Sequence, residues 1–272
     1  MSVNNSRVAD LGRYYDREAG RLVYLTGKAT PDVWDARWER FNFKHLLTGN
    51  RNSWLVTQTL RYLQSNSKVL EGGCGCADKV KSLSDAGYFA IGIDTATSTL
   101  RRAKSVCPEL ALGVADIRRL PFADSVMDGY WSLGVFEHFL DGMVPQLQEA
   151  SRILRKDGIL FLTLPIISPL RRLKAFMGLY PAVGNIAVGD FYQYAYSIEE
   201  VRRLAEEAGF VLRQSSYLDG VKGLKEEIPL LRPVLQRIYD SKMVLARVIV
   251  RALDVASRHF AGHLGYFVFQ RR

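Results

Sequence analysis

Between residues 68 and 165 short apolar runs alternate with amphipathic stretches, and few architectures accept that pattern. Lys68–Glu71 opens a strand that stops at the glycine-rich Gly72–Gly75. Residues 77–86 have helical character, Tyr88–Ile93 is a second strand ending at Asp94, and Thr95–Ser105 is again helical. Leu112–Ala115 and Met127–Leu133 are strand-like, Val144–Leu154 is helical, and Ile159–Leu164 is a strand closed by Pro165. Strands separated by single helices build βαβ units, so the chain is expected to form a parallel sheet covered on both faces, an α/β fold.

The alternation then pauses for about 30 residues of mixed aromatic and basic sequence and resumes with a helix at Ser197–Ala208. Ser197 and Glu200 make a capping box, and Gly209 is placed to end that helix. Phe210–Tyr217 and His263–Gln270 read as strands; between them Pro229 and Pro233 break the chain before one long helix over Val234–His259. On that helix Asp240, Arg247, Arg251, Asp254 and Arg258 share a face. A solvated stripe with the Leu/Val/Ile side packed on the domain is the first reading. A helix lying on an anionic membrane is the second, and the two acids weaken it.

With 48% hydrophobic and 24% charged residues, the 272-residue chain can bury a core, which excludes disorder. Residues 1–30 carry Arg7, Asp10, Arg13, Asp16, Arg17 and Glu18 with no uninterrupted apolar stretch, so neither a signal peptide nor a transmembrane span is expected there. Three cysteines cannot make a disulfide framework, and the protein is read as cytoplasmic. A net charge of +9 allows an anionic partner. The organisation expected is an N-terminal helical cap over 1–60 and a domain over 61–272, with helical lid insertions at 166–196 and 219–262.

The chemistry begins at Glu71-Gly72-Gly73-Cys74-Gly75-Cys76-Ala77. A strand ending in an acid, followed by alternate glycines, turns sharply and lets a ligand approach the main chain. A dinucleotide fingerprint would need glycine at 78, where the chain has Asp78; a carboxylate at the helix start opposes a pyrophosphate. Glu71 suits a cationic ammonium instead. Cys74 and Cys76 lack the spacing and the second ligand pair that zinc needs, so no metal is expected.

These residues resemble motif I of the class I S-adenosylmethionine-dependent methyltransferases, of the small-molecule branch, and further landmarks follow in order. Asp94, closing Ile91-Gly92-Ile93-Asp94, resembles the acid that accepts both ribose hydroxyls. Asp116 resembles the residue that accepts from the adenine amino group, with Ile117 beside it. Leu120-Pro121-Phe122-Ala123-Asp124 and Ser132-Leu133-Gly134-Val135-Phe136-Glu137-His138 match later segments of the same family. The resemblance implies a Rossmann-like sandwich with a mostly parallel seven-stranded sheet. It also implies S-adenosyl-L-methionine as cofactor, S-adenosyl-L-homocysteine as product, and Glu71, Gly73, Gly75, Asp94, Thr95, Asp116, Ile117, Leu133 and Gly134 as the cofactor site. Ala77 in place of a third glycine, and Glu71 in place of the commoner Asp, are departures.

Because a sulfonium methyl is already electrophilic, the protein has mainly to align an acceptor and exclude water. His138 is the candidate base for a protonated acceptor, against a hydrogen-bonded helix-start histidine; Glu137 is the second catalytic candidate, or orients the cofactor. Both insertions leave from carboxyl ends of strands, where ligands of open α/β sheets lie. Tyr14, Tyr15, Trp34, Tyr192 and Tyr194 are the candidate substrate contacts. With Arg171, Arg172 and Lys174 they suit a small or amphiphilic acceptor with an acidic or sugar-phosphate part, although most lid aromatics serve equally to glue the lid down. The acceptor is read as an O, N or C centre of a small molecule, lipid-linked precursor or saccharide, with peripheral membrane contact open. Two alternatives stand beside it. A nucleic-acid methyltransferase gains from the charge but lacks an Asn/Asp-Pro-Pro-Tyr/Phe motif; a non-catalytic cofactor-binding partner protein is opposed by Asp94 and Asp116.

Overall fold

The computed structural model describes residues 12–25, 27, 29–49, 52–184, 186, 190–241 and 243–272. It begins with a hairpin of β1 (Gly12–Asp16) and β2 (Arg21–Leu25), followed by α1 (Pro31–Trp38), α2 (Phe43–Thr48) and α3 (Ser53–Leu60). The expected helical cap over 1–60 therefore starts as β structure; residues 1–11 lie outside the described residues. Two runs rich in aromatic and branched residues flank a turn ending at Gly20, whose φ of +67° suits glycine, and that is a hairpin pattern.

The alternating region forms β3 (Lys68–Gly72), α4 (Asp78–Asp85), β4 (Phe89–Asp94), α5 (Thr97–Val106), β5 (Ala111–Val114), β6 (Met127–Leu133), α6 (Val144–Ile153) and β7 (Leu154–Pro165). After it come α7 (Pro169–Phe176), β8 (Phe191–Ala195), α8 (Ile198–Glu207), β9 (Phe210–Leu218), α9 (Gly220–Glu227), α10 (Arg232–Asp240), α11 (Val244–Ala261) and β10 (Leu264–Arg271). Seven strands make one sheet in the order β5-β4-β3-β6-β7-β10-β9, parallel except for β10, which runs against both neighbours. This is the Rossmann-like α/β sheet expected from the resemblance.

Strand alternation divides the core into two layers. Leu70, Tyr130, Leu160 and Phe267 face α6 and α8, whereas Val69, Trp131, Phe161 and Tyr266 face α2 to α5. Trp131 lies flat on Phe161, 4.3 Å between centroids, and donates its indole N–H to Thr59 Oγ1 at 3.0 Å, tying α3 to the sheet. Ser197 caps α8 by accepting from the Glu200 amide at 3.0 Å, and Gly209 follows at φ +92°, as the sequence predicts.

The insertion at 166–196 is not wholly helical: β8 pairs with β2 in a small three-stranded antiparallel sheet, β1-β2-β8. A buried ionic cluster fastens this sheet to the second insertion. Arg171, fully buried, binds Glu226 and Glu227 at 2.9 Å each, and Glu227 also receives Arg13 at 2.7 Å, Lys174 at 2.7 Å and the Tyr180 hydroxyl at 2.6 Å. Burial alone would raise the Glu227 carboxyl, yet Arg171, Arg13 and Lys174 hold it at about 2. Arg171 and Lys174, expected to meet an acidic acceptor, are occupied by glutamates instead.

The long helix expected at Val234–His259 is two helices. Ser241 and Met243 are extended, and Ser241 Oγ accepts from the Met243 amide at 3.3 Å, a side-chain bond that competes with helical pairing. Nor does α11 pack its Leu/Val/Ile side inward: only Ala261 of its 18 residues is buried, and Asp254 turns toward α9 to accept from Val221 N–H at 3.1 Å.

Candidate active site

The sheet's strand order reverses between β3 and β6, since the chain proceeds outward through β4 and β5 and then returns to the other side of β3. Such a switch point opens a crevice beyond the carboxyl ends of the strands. A cavity of about 820 Å³ occupies it here. Its floor is supplied by the ends of four strands: Gly73 after β3, Asp94 and Thr95 at β4, Ala115 to Arg118 after β5, and Leu133 to Val135 at β6. Its roof comes from Thr30, Pro31, Trp34 and Trp38 around α1, together with Phe139, Leu140 and Phe191.

On the floor, the turn after β3 is held by Asp94. Gly75 N–H donates to Asp94 Oδ2 at 2.7 Å and Ala96 N–H donates to Oδ1 at 2.8 Å, which fixes the carboxylate at the head of α5. Gly73 and Gly75 have φ of +75° and +48°, and a Cβ on either would collide with Val135 or Trp38 respectively. Ala77 also sits in the left-handed region, at φ +63°, so the alanine that replaces a third glycine carries a backbone cost of roughly 1–2 kcal/mol. Its methyl is fully buried.

Glu71 is 2% exposed and lies beneath this turn, off the cavity wall; its Oε2 has no hydrogen-bond partner, and burial pushes the carboxyl up to about 8. A buried acid with one oxygen left without a hydrogen bond, under a glycine cradle, fits a ligand that brings a cationic group to the turn. Asp116 is more constrained than expected. Arg118 grips it through Nη2 at 2.7 Å and Nε at 3.1 Å, and Arg118 N–H donates to Oδ1 at 2.8 Å. Those bonds hold the Asp116 carboxyl below its usual range. A ligand amino group would share that carboxylate with Arg118. The thiols of Cys74 and Cys76 are buried and pushed up, Cys76 to about 12, so both are protonated fillers.

His138 stands at the junction of floor and roof. Its Nδ1 is 2.8 Å from the Tyr192 carbonyl, which can only accept; Nδ1 therefore carries the proton and Nε2 keeps a lone pair. Burial pulls the imidazole down to about 4, against the Tyr192 and Gly134 carbonyls that favour its charged form. Trp34 and Tyr192 hold the ring edge-on, each with centroids 4.9 Å away. Glu137 is not on the cavity wall. It is 2% exposed, its Oε1 lies 4.0 Å from His138 Nε2, and burial raises it to about 8.

The roof is docked by two polar links. Asp35 accepts from Thr99 N–H at 2.8 Å and Thr99 Oγ1 at 2.6 Å, binding α1 to the start of α5. Arg37 Nη1 donates to the Tyr192 hydroxyl at 3.0 Å and lies over the Trp34 ring at 4.7 Å. Of the five aromatic substrate candidates, Trp34 lines the cavity and Tyr192 stands behind His138. Tyr14, Tyr15 and Tyr194 belong to the small sheet, Tyr194 donating to the Leu140 carbonyl at 3.0 Å. Trp38, one of the lid aromatics, also lines the cavity, as do Arg118 and Phe139, which were not among the candidate site residues. Trp38 was readable from its i, i+4 spacing to Trp34, and Arg118 and Phe139 from their adjacency to Asp116 and His138.

Residues 70–162 match the family model described as Methyltransferase domain. The 2-methoxy-6-polyprenyl-1,4-benzoquinol methylase, mitochondrial, of Mus musculus is 32% identical over 108 residues, 37% of this chain and 32% of that protein. The match thus spans about a third of the length of that relative. Among solved structures, a TehB-like SAM-dependent methyltransferase from Corynebacterium glutamicum is 16% identical, with a TM-score of 0.53 over 89% of this chain and 98% of the other. The [4+2]-cyclase SpnF is 13% identical, with a TM-score of 0.56 over 89% and 95%. The fold is shared with proteins of different chemistry, so activity has to be argued from the site.

Proposed function

We propose that this chain, a class I S-adenosylmethionine-dependent methyltransferase by domain match and fold, transfers a methyl group to a small-molecule acceptor bound under the α1 roof. One observation carries the reading. Asp94, Asp116 and the Gly73–Gly75 turn converge on one crevice, and beneath it lies Glu71, a buried acid with one oxygen left without a hydrogen bond. When bound, S-adenosylmethionine supplies a sulfonium methyl that needs no further activation. Asp94, at the head of α5, accepts from the ribose hydroxyls; Ile117 and Leu133 offer apolar walls to the adenine; the Gly73 main chain receives the amino-acid end, with Glu71 buried behind the turn.

The remaining work belongs to the protein. Trp34, Trp38 and Phe191 close the crevice and exclude water, which strengthens every polar contact inside it. His138 Nε2, unprotonated at neutral pH, takes a proton from an acceptor hydroxyl or activated carbon. We place the protein in the cytoplasm, where three buried unpaired thiols stay reduced. An amphiphilic acceptor is favoured within this reading, because the roof over the crevice is aromatic and apolar and the partial relative carries a polyprenyl group in its substrate's name. The test is to incubate the protein and methyl-labelled cofactor with a cell extract split into aqueous and organic phases. Label in an organic-phase product, lost in Asp94→Ala, supports the reading. Label in nucleic acid, or in no product, contradicts it.

A further inference from the structure

The second insertion presents a surface that the transferase reading does not use. On α11, Val244, Leu245, Val248, Ile249, Val255 and Phe260 are between 40% and 70% exposed. The seam that meets the domain is small and polar instead: a Cβ on Gly220 would touch Ser257 Oγ and the backbone at Asp254 and Arg258. Arg247 and Arg251, both exposed, stand four apart along one edge of the apolar face, and Arg258, half-buried with its Nε shielded, continues that row toward the seam. Asp254, the helix's one acid, is turned inward onto Val221. The neighbouring elements continue the character. Leu230, just before α10, is 89% exposed, Arg232 and Arg237 are exposed on α10, and α7, which packs on α11, ends in Phe176 at 90% exposure.

We propose that the face formed by α11 and its flanks on α10 and α7 docks on an anionic lipid bilayer. An apolar face this exposed is uncommon on a monomer unless something covers it. The occupant is chosen by charge. Two copies packed through α11 would bring arginine edges into one apolar interface with no acid of that helix to pair them, the one exposed acid of the flanks, Asp240, lying at the far end of α10. A bilayer accepts the apolar face below its headgroups while arginines along the edge reach lipid phosphates. Among the described residues no helix is long and apolar enough to span a membrane, so the contact is interfacial.

Flotation of the full chain with vesicles tests this. The wild type is expected to float with equimolar phosphatidylcholine and phosphatidylglycerol, to float poorly with phosphatidylcholine alone, and to be released by salt. Arg247→Gln and Arg251→Gln should each weaken binding about fivefold, and Val248→Asp about tenfold or more. All three positions are exposed, so the variants should keep wild-type thermal midpoints and wild-type affinity for S-adenosylhomocysteine. Docking is overturned if the wild type stays in solution with anionic vesicles, or if Val248→Asp floats as well as wild type. It is also overturned if size-exclusion shows a dimer that Val248→Asp dissociates, since the face then belongs to a second copy.

Discussion

On the floor of the crevice Asp94 holds the Gly75 turn through a 2.7 Å hydrogen bond, and each residue there is fixed by its place at a strand end. Across from it, Trp34, Trp38 and Phe191 are held by ring packing, by Asp35 and Arg37, and more remotely by the ionic cluster that ties the small sheet to α9. The floor depends on residue identity at a fixed spacing in sequence. The roof depends on contacts between segments more than 50 residues apart, such as Arg171 with Glu227. Floor variants should therefore change cofactor affinity with little loss of stability. Roof variants should change stability first.

Glu227→Gln breaks this division most severely. It leaves Arg171 buried with one fewer anion, and we expect a loss of about 3–5 kcal/mol in urea unfolding. A loss below about 1 kcal/mol would mean that the cluster is solvated and does not hold the roof. His138→Asn comes next. The turnover of a protonated acceptor should fall roughly 100-fold or more, with the affinity for S-adenosylhomocysteine unchanged. Parallel losses in both would make His138 a roof support only.

The two buried glutamates give a pH signature. Glu137 and Glu71 are raised from 4.5 to about 8 in the fold, so their neutral forms are favoured by folding. Stability from this source is fully present below pH 4.5 and is lost as pH rises through about 8. Unfolding midpoints across that window should fall with pH, and Glu137→Gln should flatten the slope; an unchanged slope would show that the carboxyl ionises freely. The smallest effect is on the floor. Ala77→Gly relieves a left-handed alanine and should stabilise by about 1 kcal/mol, read as a higher midpoint in the same assay.

The floor was legible in the sequence because its signals are local. Glu71, Gly73, Gly75, Asp94 and Asp116 stand at strand ends, and strand ends can be located from the alternation of apolar runs. The roof was not, because its geometry is set by long-range pairing. Nothing near Arg171 in sequence announces that Glu226 and Glu227 will neutralise it, and Tyr14 and Tyr194 look like any other lid aromatics until β1, β2 and β8 pair. The break at Ser241 is a case between these: a serine side chain replaces one turn of helix, a local event too weak to read against the helical pattern over Val234–His259.

Isothermal calorimetry with S-adenosylhomocysteine reaches the central claim most directly, because it reads the floor without needing the acceptor. The account predicts saturable binding by the wild type, and at least a roughly 100-fold weaker constant for Asp94→Ala, the loss of two charge-assisted hydrogen bonds. No heat from the folded wild type, or equal affinity in the variant, would contradict it.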